Sequence, residues 1–372
     1  MAEWNVRPLM VMVAAQVLLV AGLIAWGLSG FPLPGAITGG NERAGTAAAP
    51  GASAGPAPPA GSAGPGASGA SGALAAPAGT ATAAAAAPPT TATAAAAAPP
   101  AGSGLAPRAT TNRFDGARAF ALLREQVRRY GWRPAGSRKL RRLAVRLRGL
   151  LPGGRFENVP GHKGLRNVVG SLPGRGKAIV VGAHYDVEAR PVGFVGANDG
   201  AAGTAAVVEL ARKLARAPRR ATDRRLTFVL FDGEEEPAGC EIFLDCALRG
   251  STAYVKRHAK QTRSLVLLDY IAEKDNLSFP HEGGSDRALY AKLRAAANDV
   301  GVGPLFTDVE GVEILDDHTP FMDAGIPAVD IIDFEYPPAD TLRDTLDKVS
   351  ERSLDAVGEA VYRLVTRLRR ER

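Results

Sequence analysis

The chain has 372 residues and carries 45 Lys and Arg against 38 Asp and Glu, a formal charge of +7. That length admits two or three domains, but the composition is so uneven that only the C-terminal two-thirds can be globular. The excess base lies largely between Arg124 and Arg148, where Leu140, Leu143, Leu147, Leu150 and Leu151 recur at helical spacing; the arginines are read as the solvated face of an amphipathic helix, not as a site for nucleic acid or anionic headgroups.

In chain order, the first feature is an uncharged stretch from Pro8 to Gly40, of which Pro8 to Leu28 is apolar over the ~20 residues a helix needs to cross a bilayer. Residues 1–30 are therefore expected to be a short tail and a transmembrane signal anchor. Pro34-Gly35-Ala36 offers a cleavage site for the alternative, a secreted protein. Arg7 and Arg43 give almost no positive-inside signal, so the orientation rests on the short tail staying inside while the rest is exported. Residues 31–111 are rich in Ala, Gly, Pro, Ser and Thr with hardly a large apolar side chain, the composition of a disordered linker. Its stretch from Ala44 would span about 45 Å as a flexible coil.

From residue 112 to 372 short β-branched runs alternate with helical periods, which argues for one α/β domain. Asn167 to Leu172, Lys177 to Ala183, Leu226 to Phe231, Ser264 to Leu268 and Ala328 to Ile332 read as strands. Val207, Leu210, Ala211 and Leu214 mark one helix; Leu354, Val357, Val361 and Leu364 mark another at the C-terminus. Cys240 and Cys246 are close enough in sequence for a local disulfide in an oxidising compartment, with two free thiols as the alternative.

Acidic residues and a histidine fall at the ends of these strands. His184 and Asp186 follow the second, Glu234 and Glu235 the third, and Asp269 the fourth. In open α/β sheets ligands bind outside the carboxyl ends of strands, so these groups should converge. Each has a bland reading alone: His184 as a loop hydrogen-bonder, Asp199 as a helix N-cap, and Phe231-Asp232-Gly233-Glu234-Glu235-Glu236 as a solvated acidic turn. Together they are metal-ligand types at successive strand ends, and adjacent carboxylates beside a buried strand call for cations or protons to compensate them.

The series GAHYDV, GANDGAAGTAA, FDGEEE, LLD and the late DTLRDTLDKV resembles metallopeptidase family 28, which contains bacterial zinc aminopeptidases and animal-type glutaminyl cyclases. The resemblance implies a three-layer α/β sandwich with a mostly parallel central sheet flanked by helices, the zinc-exopeptidase fold. It also implies two zinc ions per chain, with Mn2+ or Co2+ as alternative occupants. Carried over by position, His184 and Asp269 would bind one metal and Glu235 the other, Asp199 would bridge them, Asp186 would orient His184, and Glu234 would be the general base.

The family's last ligand is a His, and here Asp340 stands in its place. Asp is a legitimate zinc ligand, but the extra negative charge should make a weaker Lewis acid or favour harder ions. Asp316 and His318, in an Asp-Asp-His run like that of the cyclases, are candidates to support the catalytic carboxylates or to stand in as a ligand. The expected activity is that of a metallo-aminopeptidase acting on peptides, membrane-anchored and with no nucleic-acid partner. A glutaminyl cyclase-like aminoacyltransferase and a non-catalytic, receptor-like ectodomain are the alternatives.

Overall fold

The structure is a computed structural model and describes residues 104–371. The expected anchor and nearly all of the linker lie outside the described residues. Among the described residues no helix is long and apolar enough to cross a membrane.

Strands β1 (Arg155–Asn158), β2 (Arg166–Leu172), β3 (Arg175–His184), β4 (Arg224–Phe231), β5 (Thr262–Asp269) and β8 (Ala328–Ile332) form one sheet in the order β1-β2-β4-β3-β5-β8. The pairs β4·β3, β3·β5 and β5·β8 are parallel, and β1·β2 and β2·β4 are antiparallel. A parallel pair cannot be joined by a tight turn and needs a crossover. The connections accordingly run through α3 (Ala201–Arg216) between β3 and β4, and through α4 (Phe243–Cys246) and α5 (Arg249–His258) between β4 and β5. Between β5 and β8 lie α6 (Arg287–Asp299), α7 (Thr319–Asp323) and a small two-stranded sheet of β6 (Phe279–His281) with β7 (Phe306–Glu310).

Alternation along each strand divides the core. Ile179, Val181, Phe228, Leu230, Val266 and Leu268 point to one face, where α3, α6 and α8 (Glu351–Leu368) pack with α1 (Gly116–Glu125) and α2 (Arg138–Arg148). Val180, Val229, Leu265 and Leu267 point to the other, against Tyr254 and Val255 of α5 and Phe321 of α7. Burial on both faces explains why the strands read as nearly continuous apolar runs. The fold is the expected helix-flanked sandwich with a mostly parallel sheet.

The five expected strands and two expected helices are all present. The basic strip is more broken than a single amphipathic helix: α1 gives way to a π-helical turn at Gln126–Tyr130, and α2 starts only after Ser137, whose hydroxyl accepts from the Leu140 N–H at 3.1 Å. Within α2 the reading holds, since Leu140, Leu143 and Leu147 are buried while Arg141, Arg142 and Arg146 are exposed. Leu150 and Leu151 lie past its end.

The domain also starts ahead of residue 112. Ala106 is buried, Thr110 N–H donates to the Val300 carbonyl at 2.9 Å, and the buried carboxylate of Glu359 on α8 takes hydrogen bonds from the Thr111 hydroxyl and the Arg113 and Phe114 amides. Apolar content alone does not reveal this segment, because it is fastened mainly by backbone and hydroxyl groups.

Candidate active site

The four parallel strands deliver their carboxyl ends to one rim of the sheet. His184 ends β3, Asp269 ends β5, Glu234 and Glu235 follow β4, and Asp199 immediately precedes Gly200 at the mouth of α3. Gly200 has φ of +71°, and a Cβ there would lie 2.4 Å from the Asp186 carbonyl oxygen, so only glycine lets the loop and helix meet at this point. The small residues of GAAGTAA serve the same end: a Cβ on Gly203 would sit 2.1 Å from the Leu268 carbonyl oxygen.

The His184 ring is the hub. Its Nε2 lies 3.1 Å from Asp199 Oδ1 and 3.3 Å from Asp269 Oδ1, while Nδ1 faces Asp186 Oδ1 at 3.8 Å and Glu234 Oε2 at 3.9 Å. Asp186 also accepts from the Glu234 and Glu235 amides, each at 3.4 Å, and so ties the loop after β3 to the acidic turn after β4. Asp199, Glu234, Glu235 and Asp269 are all buried.

That crowding has electrostatic consequences. Burial, then the neighbouring Asp199 and Glu234, hold Glu235 well above the ordinary carboxylate range. Burial raises Glu234 likewise, with Asp316, Asp317 and Asp186 adding to it and His184 opposing. Asp269 is pushed up to about 7, first by burial. For His184 burial favours the neutral ring, but Asp269, Asp186 and Asp199 overcome it and hold the imidazolium well above its usual range. Such a cluster takes up protons or cations. One donor atom each from His184, Asp199 and Glu235 lies within 4.8 Å of the others, a donor set of nitrogen and carboxylate oxygen that suits zinc.

The remaining expected residues divide. Asp340 is not part of that triad: the Tyr270 hydroxyl stands between it and Asp199, 2.8 Å from Asp340 Oδ1 and 3.2 Å from Asp199 Oδ2. Asp316 bears electrostatically on both Glu234 and Asp269. The His318 ring faces elsewhere, with Nε2 3.2 Å from Glu282 and Nδ1 3.6 Å from Asp330.

Four further residues assemble the site. Arg133 is fully buried and donates to the Tyr185, Val195 and Gly196 carbonyls at 3.2, 2.5 and 3.2 Å, bracing the loops that flank His184 and Asp199. Burial lowers its pKa to about 10, yet Asp199 and Asp186 help keep its charge beneath the carboxylates. Asp344 accepts from the Asn198 and Asp199 amides at 2.9 and 3.0 Å and from the Tyr336 hydroxyl at 2.8 Å. Arg249 holds the acidic turn through the Gly233 and Glu235 carbonyls at 3.1 and 2.6 Å. Tyr270 supplies the hydroxyl between Asp199 and Asp340. Only Asp344, inside the quoted DTLRDT run, carried a signal in the sequence; the others act on backbone or through a single hydroxyl, which leaves no spacing pattern.

The model of Peptidase family M28 matches residues 167–365. Aminopeptidase YwaD of Bacillus subtilis is 28% identical over 198 residues, which is 49% of this chain and 39% of that protein, so the match spans about two-fifths of its length. A glutaminyl-peptide cyclotransferase of Bothrops jararaca is 26% identical over 277 residues, covering 62% of this chain and 74% of its own. Among solved structures, the glutaminyl cyclase of Porphyromonas gingivalis superposes with a TM-score of 0.61 at 25% identity, covering 69% of this chain and 100% of that one.

Proposed function

Since this chain belongs to peptidase family M28, we propose that it is a zinc-dependent exopeptidase that releases residues from peptide N-termini. The observation that carries this reading is the pairing of Glu234 with Glu235. The two are adjacent in sequence, yet Glu235 offers a donor atom to the His184–Asp199 triad while Glu234 faces the other nitrogen of His184.

His184, Asp199 and Asp269 are suited to one ion, with Asp186 steadying the far side of the imidazole as an outer carboxylate does for a metal-bound His. Glu235, Asp199 and Asp340 are suited to a second, provided the Tyr270 hydroxyl gives way between them. Such ions supply a Lewis acid for the scissile carbonyl and a water of lowered pKa. Glu234, held above the usual carboxylate range by burial, is placed to be the base: its carboxylate takes the proton from water and returns it to the leaving amine. Arg133 and Asp344 keep Asp199 in register throughout.

A cyclase reading is supported by the longer match to the Bothrops jararaca cyclotransferase, which spans 74% of that protein, and by the superposition on the Porphyromonas gingivalis glutaminyl cyclase. The two activities separate on products: aminoacyl anilides and Gln-initiated peptides are offered in parallel, and pyroglutamate without free amino acid would overturn the exopeptidase. Glu234→Gln should lower turnover by about 10²–10⁴-fold with bound metal unchanged. Undiminished turnover would remove Glu234 as the base.

We place the enzyme outside the cytoplasm, tethered to the membrane by the apolar run Pro8 to Leu28. The disulfide between Cys240 and Cys246 supports an oxidising surrounding.

A further inference from the structure

Asp330 is anomalous for its position. It lies in the middle of β8, in the run Ala328-Val329-Asp330-Ile331-Ile332, paired with Leu267 and fully buried. Neither of its carboxylate oxygens accepts from an N–H or hydroxyl group, and the Asp316 carboxylate lies against it. Leaving an ionised carboxylate so placed is among the most costly arrangements in a core, and it persists only when something compensates the charge.

The groups around it are arranged as a second metal site would be. His318 is buried, and its Nδ1, also without a hydrogen-bond partner, stands 3.6 Å from Asp330 Oδ2. Its other nitrogen, Nε2, lies 3.2 Å from Glu282 Oε2. Glu282 is fully occupied as an acceptor: Oε1 takes the Gly284 and Ile314 amides, both at 2.8 Å, and Oε2 also takes the Ser285 hydroxyl at 2.8 Å. An ionised Glu282 so held keeps a proton on Nε2 and aims Nδ1 at Asp330. A carboxylate that orients a histidine from behind is the usual companion of a metal-bound imidazole. Asp316 completes the group, with an unpartnered Oδ2, and one donor atom each from Asp316, His318 and Asp330 lies within 4.8 Å of the others. Two ligands at ~2.0–2.1 Å from one tetrahedral ion are ~3.3 Å apart. The gap between His318 and Asp330 is therefore too long for a good hydrogen bond and close to that of two atoms sharing an ion.

We propose that Asp316, His318 and Asp330 form a buried divalent-cation site separate from the His184 cluster, with Glu282 as its orienting carboxylate. One nitrogen and carboxylate oxygens favour Zn2+ among the common ions. The ion is structural. It joins the edge strand β8 to the loops that carry Glu282 and Asp316, and those loops already cap that edge, since Ser285 Oγ accepts from Asp330 N–H at 2.9 Å and Asp286 N–H donates to the Ala328 carbonyl at 2.7 Å. The competing ways to relieve the charge are a second proton on His318, carried by Nδ1 and aimed at Asp330, and one proton shared between Asp316 and Asp330.

The test uses the full chain with both catalytic ion sites disabled by Asp199→Ala, which removes their shared ligand, and Glu235→Ala, loaded with Zn2+ and dialysed. One tightly held equivalent should remain, and adding Asp330→Asn, or separately His318→Gln, should abolish it while the far-ultraviolet circular dichroism is kept. No bound zinc in the doubly substituted chain, or zinc that survives both further changes, overturns the proposal in favour of compensation by protons. Should those variants not fold, zinc-edge anomalous scattering from wild-type crystals decides it: a peak within bonding distance of His318 Nδ1 supports the site, and none there refutes it. Because the readout is metal in a chain whose catalytic ion sites are disabled, it is independent of whether the enzyme is a peptidase or a cyclase.

Discussion

Asp340 occupies the position at which the family's usual ligand is a His, and in the structure it meets Asp199 only through the Tyr270 hydroxyl. If Asp340 is a ligand, Asp340→His should raise zinc affinity or turnover, because a neutral imidazole leaves the paired site one charge more positive and lowers a bound water's pKa further. A fall in both, measured by zinc titration and anilide hydrolysis, would mean that Asp340 holds Tyr270 and not a metal.

Titration at the same residues carries a sign. Asp269 ionises near 3.8 in a model peptide but is pushed up to about 7 in the fold, and Asp232, buried beside Asp186, is also raised to about 7. Between about pH 4 and 7 the metal-free fold therefore holds protons that the unfolded chain has released. Their stabilising contribution is complete below that window and lost as pH rises through it. Protein stripped with a chelator should melt at a lower temperature at pH 8 than at pH 6. Zinc, which replaces those protons, should bind more tightly at pH 8. A chelated protein that gains stability over this range would contradict the protonation assigned to the cluster.

At the scale of elements, the site depends on how closely α3 can approach β5. Gly203 is the contact, with room for no Cβ before the Leu268 carbonyl one residue ahead of Asp269. Gly203→Val should cost at least about 1–3 kcal/mol through overpacking. Because the strain lies beside two proposed ligands, it should also weaken zinc binding. Urea unfolding and zinc titration of the variant read the two effects separately, and an unchanged midpoint would show that the helix is seated otherwise. The acidic turn after β4 shows the same dependence on backbone. Adjacent Glu234 and Glu235 are held on a fixed turn because Asp186 receives both their amides and Arg249 holds the carbonyls of Gly233 and Glu235.

At the scale of the whole molecule, the proposal of an exported, tethered enzyme makes its own prediction. Protease added to intact cells should remove the catalytic domain, and alkaline carbonate should leave the untreated protein in the membrane fraction. Recovery from the medium would indicate cleavage after the apolar run, and protection inside intact cells would sink the export reading.

The sandwich and most of the His, Asp and Glu cluster could be read from the chain because both follow from local pattern. Strands buried on two faces are continuous apolar runs, and a parallel strand places the residue at its end on the same rim as its neighbours' ends. His184, Asp199, Glu235 and Asp269 thus announced themselves by type and position. The fastening of residues 104–111, the brace supplied by Arg133 and the intrusion of Tyr270 between Asp199 and Asp340 were decided only by the tertiary structure. So was the separation of His318 from the catalytic carboxylates, which turns on Glu282 and Asp330, one in a loop and one in the edge strand. Such contacts join groups far apart in sequence through single hydrogen bonds or charges, and no periodicity in the chain records them.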